Sequence, residues 1–138
     1  MYVLKTNASF DSAHFLKGYE GKCSNIHGHR WKVSVEIGSE DLEEEGTNRG
    51  MIVDFSKLKD DLGTIADNLD HSLIIEKGSL KEKTLQVLKE EDFRIIEVDF
   101  RPTAENFAKY FYDQMKALGY TVLETTVYET PNNCASYK

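Results

Sequence analysis

The stretch CSNIHGHRWKVSVEI, Cys23 to Ile37, decides how the rest of the chain is read. In its second half Trp31, Val33, Val35 and Ile37 are apolar, and Lys32, Ser34 and Glu36 stand between them. Successive side chains of a strand point to opposite faces, so a period of two describes a strand with one face buried and one wet. The first half crowds one cysteine and two histidines into seven residues at the mouth of that strand. By the same period His27 and His29 project to one side.

Upstream, Tyr2 to Phe15 alternates in the same way and is read as the hairpin partner. Downstream, the acidic stretch SEDLEEEG at 39 to 46 reads as a solvated loop. Phe55, Leu58, Leu62, Ile65 and Leu69 then fall three and four apart, one face of an amphipathic helix. Asp54 is its cap, and its end is expected near Asp70-His71. A shorter helical stretch, Ser79 to Glu91, looks like an added surface element. The segment RPTAEN, 101 to 106, opens a second long helix, capped by Thr103, with Phe107, Tyr110, Phe111 and Leu118 on its apolar side and Gly119 as its stop. A strand follows from Thr121 to Glu129, Pro131 breaks it, and Cys134 to Tyr137 resumes pairing. The expectation is one α+β domain over residues 1–138, an antiparallel four-stranded sheet with two long helices on one face, in the order ββααββ.

Composition narrows the function. With 24 acidic against 17 basic residues the formal charge is −7, and no basic run offsets it, which argues against a nucleic-acid or anionic-membrane partner. The amino-terminal MYVLKTNASF alternates instead of forming an apolar run, so a cytoplasmic address is expected. Two cysteines, Cys23 and Cys134, make no disulfide framework.

The chemistry concentrates in the histidines. His27 and His29 can bind a metal together, and His14, near the end of the partner strand, is the natural third ligand. Neutral imidazoles suit Zn²⁺, and three protein ligands with an open fourth position describe a catalytic site. The plainer alternative is a chance H-x-H beside a core histidine. Cys23, four residues before His27, is either a fourth ligand closing a structural Cys-His₃ site or a free thiolate acting as base beside the metal. Asp70-His71 can work as an Asp-His proton shuttle only if the chain leaves helical geometry there; otherwise His71 simply sits well on the helix dipole. Glu129 closes the last long strand, where a carboxylate can take two parallel hydrogen bonds from the edge of a heterocycle, or can be an ordinary strand-end glutamate. Glu105 lies in the first turn of its helix, where a negative charge is favourable anyway; a substrate contact is the other reading.

Six motifs now stand in order: FDSAH at 10 to 14, C-x3-H-G-H at 23 to 29, GMIVDF at 50 to 55, LDH at 69 to 71, PTAEN at 102 to 106 and YET at 128 to 130. Together they resemble the 6-pyruvoyl-tetrahydropterin synthase and 6-carboxy-tetrahydropterin synthase family, of tunnelling fold, over nearly the whole chain. The resemblance implies zinc on His14, His27 and His29, Cys23 as base, His71 with Asp70 as proton-relay partner, and Glu129 as anchor of the pterin ring and participant in the relay. It further implies 7,8-dihydroneopterin triphosphate as substrate and trimers stacked into hexamers, with active sites at subunit boundaries. The three-residue gap from Cys23 to His27 is similar to bacterial 6-carboxy-tetrahydropterin synthases of the queuosine pathway, with the 6-pyruvoyl product as the alternative. A non-catalytic, zinc-stabilised pterin-binding module is the rival of another class. Arg30 after HGH, the Ser-Leu-Ile-Ile after His71 and the stretch 79–91 depart from the usual pattern.

Overall fold

The computed structural model describes residues 1–138. The hairpin expected around the histidines is its longest feature. Strand β1 (Tyr2–His14) pairs antiparallel with β2 (His27–Ser39) without interruption, from Tyr2 opposite Ser39 to His14 opposite His27. Phe10, Trp31, Val33, Val35 and Ile37 are buried, as their alternation predicts. Strand β5 (Val122–Thr130) adds to the free side of β2, and β6 (Asn133–Tyr137) pairs with β5 beyond the Pro131 turn.

Six strands form this sheet, not four, in the order β4-β3-β1-β2-β5-β6. The two additions are β3 (Ser72–Glu76), which runs parallel to β1 over Ser12 to His14, and β4 (Ile95–Val98), parallel to β3. Neither shows the alternation that reveals a half-buried strand. Ile74 and Ile75 are neighbours and both buried, so β3 is covered on both faces and reads as a short apolar run. The observed order is therefore ββαβαβαββ, still α+β, with a mixed sheet.

Helix α1 (Phe55–Asp67) is capped by Asp54, whose side chain accepts the Ser56 N–H at 2.6 Å. Leu58, Leu62 and Ile65 face the core, but Phe55, the first residue of the helix, is 66% exposed. The helix ends at Asp67, earlier than expected, and Leu69 is buried from the turn that follows. Helix α2 (Glu82–Glu90) buries no residue and is a surface element. Helix α3 (Ala104–Ala117) starts at Thr103, which accepts the Asn106 N–H, and buries Phe107, Ala108, Phe111 and Met115. Leu118 is its C-cap and 55% exposed, so it lies off the apolar side; Gly119 stops the helix at φ +95°. No helix is long and apolar enough to cross a membrane.

Helix α1 packs over β1, and α3 packs over β5 and β6, on the same face of the sheet. The other face of the hairpin carries charge, including the cross-strand pair Lys5–Glu36 at 2.7 Å. Between sheet and helices, Trp31 stacks on Phe10 at 6.0 Å and meets Phe107 edge-on at 4.9 Å. Trp31 also contacts His14 and His29 edge-on at 5.0 and 5.3 Å, so the apolar core continues up to the histidines.

Phe107 is fully buried in this aromatic cluster. Truncation there removes a whole ring from a packed core, so Phe107→Ala is expected to lower unfolding free energy by about 3–5 kcal/mol. Urea denaturation checks this, and a loss below about 1 kcal/mol would show that the site is not packed as described.

Candidate active site

The hairpin register builds the site. Antiparallel pairing sets His14 opposite His27 and Ser12 opposite His29, and the period of two puts His27 and His29 on the face that already carries Trp31. The three rings converge, with centroids 4.5 Å (His14–His27), 4.9 Å (His27–His29) and 5.2 Å (His14–His29) apart. Glu129, from β5, completes a group whose ligand atoms all lie within 4.8 Å of one another.

Backbone carbonyls fix which nitrogen faces the centre. His14 Nδ1 is 2.7 Å from the Pro102 carbonyl, and His27 Nδ1 is 2.7 Å from the Asn25 carbonyl. A carbonyl only accepts, so both Nδ1 atoms carry hydrogen and donate, and in neutral rings both Nε2 atoms present lone pairs. Those Nε2 atoms stand 3.1 Å apart. Two facing lone pairs at that distance repel each other unless a cation lies between them. His29 Nε2 is likewise buried without a hydrogen-bond partner, and Glu129 Oε1 lies 3.4 Å from His14 Nε2 and 3.5 Å from His29 Nε2. The donor set fits a divalent metal: His14, His27 and His29 could hold it, with Glu129 at its edge.

Burial favours the neutral, ligating form. Desolvation pushes the His14 pKa down to about 4, against a smaller upward pull from its bond to Pro102. His29 is also lowered, first by burial, with Glu129 opposing.

The structure separates Cys23 from this group. Its thiol lies on a single 3₁₀ turn, Lys22–Ser24, half-buried, in a loop closed by the Leu16 N–H donating to the Cys23 carbonyl at 2.8 Å. The Sγ atom is not among the clustered ligand atoms.

Asp70 and His71 do meet. The chain leaves helical geometry after α1, and His71 adopts φ +50°, which brings its Nδ1 to 2.6 Å from Asp70 Oδ2. The other Asp70 oxygen accepts the Asp11 N–H at 2.7 Å. That backbone bond, then the bond to His71, holds the Asp70 carboxyl below its usual range. Asp70 in turn raises the His71 pKa, by hydrogen bond and by charge.

Two depressions flank His29. One, of about 740 Å³, is bordered by His29, Arg30, His71, Phe93 and Arg94; the other, of about 610 Å³, by His29, Lys32, Tyr128 and Glu129. Cys23 and Glu105 border neither. Glu105 is exposed in the first turn of α3. Two partners escaped the sequence reading. The Pro102 carbonyl that orients His14 lies inside a recognised motif but shows no chemistry in its letters. Asp11, through its main chain, likewise supports Asp70 without any side-chain signature.

A family model described as 6-pyruvoyl tetrahydropterin synthase matches residues 3–138. The chain belongs to this family. A Haemophilus influenzae protein named 6-carboxy-5,6,7,8-tetrahydropterin synthase is 34% identical across 100% of this chain and 99% of its own length. A Pyrococcus horikoshii protein named as a putative synthase of the same kind is 39% identical over 83% of this chain and 76% of its own. Among solved structures, an uncharacterized protein from Wolinella succinogenes superposes with a TM-score of 0.78 at 22% identity, covering 99% and 97% of the two chains. The Caenorhabditis elegans 6-pyruvoyl tetrahydropterin synthase superposes with a TM-score of 0.68 at 25% identity, covering 99% and 94%. The α+β fold of this tetrahydropterin synthase family member is therefore the one that the motifs implied, with β3 and β4 added to the expected strands.

The Asp70–His71 pair makes a pH-dependent prediction. His71 is charged below its raised pKa and loses its proton, and the attraction to Asp70, as pH rises through that value. Asp70→Asn removes the charge, so the His71 pKa should fall toward its ordinary value of about 6.5. NMR titration of the histidine ring protons checks this, and an unchanged midpoint would refute the pairing.

Proposed function

We propose that the chain is a zinc-dependent 6-carboxy-5,6,7,8-tetrahydropterin synthase. It would convert 7,8-dihydroneopterin triphosphate and water to 6-carboxytetrahydropterin, acetaldehyde and triphosphate, within queuosine biosynthesis. The observation that carries the proposal is the pair of inward Nε2 lone pairs 3.1 Å apart, fixed by Nδ1 bonds to Pro102 and Asn25. Full-length identity of 34% to a protein named for this reaction supports the choice of substrate and product.

Each residue has a task in this reading. His14, His27 and His29 hold the zinc, which when bound supplies Lewis acidity that polarises the substrate's side-chain oxygens. Cys23, outside the ligand group, takes a proton from the adjacent side-chain carbon. His71, kept charged and oriented by Asp70, delivers a proton to the other face of that carbon. Glu129 borders the depression beside His29 and is placed to take the amidine-like edge of the pterin and to join the relay. No chemical step is assigned to Glu105.

The proposal includes a single-domain cytoplasmic subunit in a homo-oligomer, trimers stacked to hexamers. Strands β4 and β6 leave open sheet edges, and the assembly would bring Cys23 and His71 of different subunits to one substrate. A second reading, the 6-pyruvoyl product, is favoured by the description of the matching family model. The rival zinc-stabilised module would bind pterin without turnover.

Mass spectrometry of products from zinc-loaded protein and 7,8-dihydroneopterin triphosphate separates these readings. Carboxytetrahydropterin with acetaldehyde is expected; a pyruvoyl product moves the branch, and no consumption sinks the enzyme. Cys23→Ala should keep its zinc and lose turnover by at least about 10²-fold. Chelation should abolish turnover while circular dichroism stays native, whereas unfolding on zinc removal would favour the structural module.

A further inference from the structure

Among the cations between β3 and α3, Arg94 is the one whose side chain reaches the turn that carries Asp70 and His71. Arg94 stands just ahead of β4, and both terminal nitrogens of its guanidinium donate to backbone carbonyls. Nη1 donates to the Asp70 carbonyl at 2.6 Å, and Nη2 donates to the Asn68 carbonyl at 2.7 Å, with a longer reach of 3.4 Å to Asp67. Asn68 is the C-cap of α1, so its carbonyl has no helical partner, whereas the Asp67 carbonyl also accepts the Asp70 N–H at 3.2 Å and Asp70 lies in the turn beyond the helix. A planar fork with five donors can serve several acceptors at once, which an ammonium on a flexible stem does not reproduce.

The next residue along is His71, in the left-handed conformation at φ +50° that a residue with a Cβ resists. Its pairing with Asp70 depends on that turn, since adjacent residues on a continuing helix diverge. The turn is held from both sides. Toward β1, the His71 N–H donates to the Asp11 carbonyl at 2.7 Å, and the Asp11 N–H donates to Asp70 Oδ1 at 2.7 Å. Toward β4, Arg94 grips the Asp70 carbonyl. Arg94 is itself placed by the added strands: its carbonyl accepts the Leu73 N–H at 3.0 Å, and Asp92, at φ +62°, turns the chain just before it.

We infer that Arg94 is a positioning residue for the Asp70–His71 pair, and that delivering it is the function of the β3-α2-β4 stretch. The guanidinium holds the peptide before His71 so that the ring stays on Asp70 and open to the depression it shares with His29. The charged groups around the ring are Asp70, Asp11 and Arg94, with Arg30 facing Asp11 at 3.6 Å. The inference rests on the proton-relay role proposed above for His71 and deepens it.

The test uses zinc-loaded, full-length Arg94→Ala and Arg94→Lys beside His71→Ala, with steady-state kinetics on 7,8-dihydroneopterin triphosphate, thermal melting and the ¹⁵N ring signals of His71. Both Arg94 variants should lose kcat by about 10- to 100-fold, the effect of misplacing a reacting group by about 1 Å, with KM nearly unchanged. Arg94→Lys keeps the stem and the charge, so it guards against a folding defect in Arg94→Ala. The Nδ1 signal of His71 should move from its carboxylate-bonded position in both. Wild-type kcat in either Arg94 variant, or unmoved His71 signals beside a lower melting temperature, overturns the inference and leaves Arg94 as a helix cap. Wild-type turnover in His71→Ala overturns the relay itself and the inference with it, a failure separate from that of Arg94 alone.

Discussion

Everything in this molecule is arranged around keeping His14 neutral, buried and turned the right way. A fully buried imidazole needs a partner for its N–H, and the Pro102 carbonyl supplies it at 2.7 Å. That carbonyl lies just before α3, so the helix must begin where it does, capped by Thr103, with Asn106 donating its side-chain N–H to the Arg101 carbonyl. Arg101 in turn donates to the Lys17 carbonyl at 3.0 Å, tying the start of α3 to the loop that carries Cys23. A single tautomer choice thus links strand, helix start and thiol loop. With Nδ1 committed to the carbonyl, Nε2 has nowhere to point but at His27.

The division of the sheet into two faces explains why the site sits at the mouth of the hairpin. The core-facing side chains of β2 run His27, His29, Trp31, Val33, from wet to dry along one strand. Trp31 is the boundary: its rings meet both His14 and His29, so the imidazoles rest on the core. Rings packed in this way have little rotamer freedom, which is what a preorganised metal site needs.

What could be read from the sequence follows from which signals are local. The β1–β2 hairpin was legible because alternation in Trp31 to Ile37 reports a half-buried strand directly, and the caps Asp54 and Thr103 because capping chemistry is set within three residues. Strand β3 was not, because burial on both faces erases alternation, as the adjacent Ile74 and Ile75 illustrate, and β4 is a four-residue strand with no buried residue, too short to show a period. Phe55 and Leu118 were misplaced at helix ends, where the rotation of the last turn decides exposure. At the site, the convergence of His14, His27 and His29 was legible from the strand period and the hairpin pairing. The role of Cys23 stayed open because it depends on where a loop places one sulfur, and Arg94 was invisible because it acts through carbonyls 24 to 27 residues away in sequence.

The central claim is that three imidazoles bind the metal and the cysteine does not. X-ray absorption at the zinc edge of the stoichiometrically loaded wild-type protein tests it most directly. The account predicts a first shell of nitrogen and oxygen only, with Zn–N near about 2.0–2.1 Å. A sulfur scatterer near about 2.3 Å would place Cys23 on the metal and contradict the account, since a ligating thiolate cannot serve as the free base.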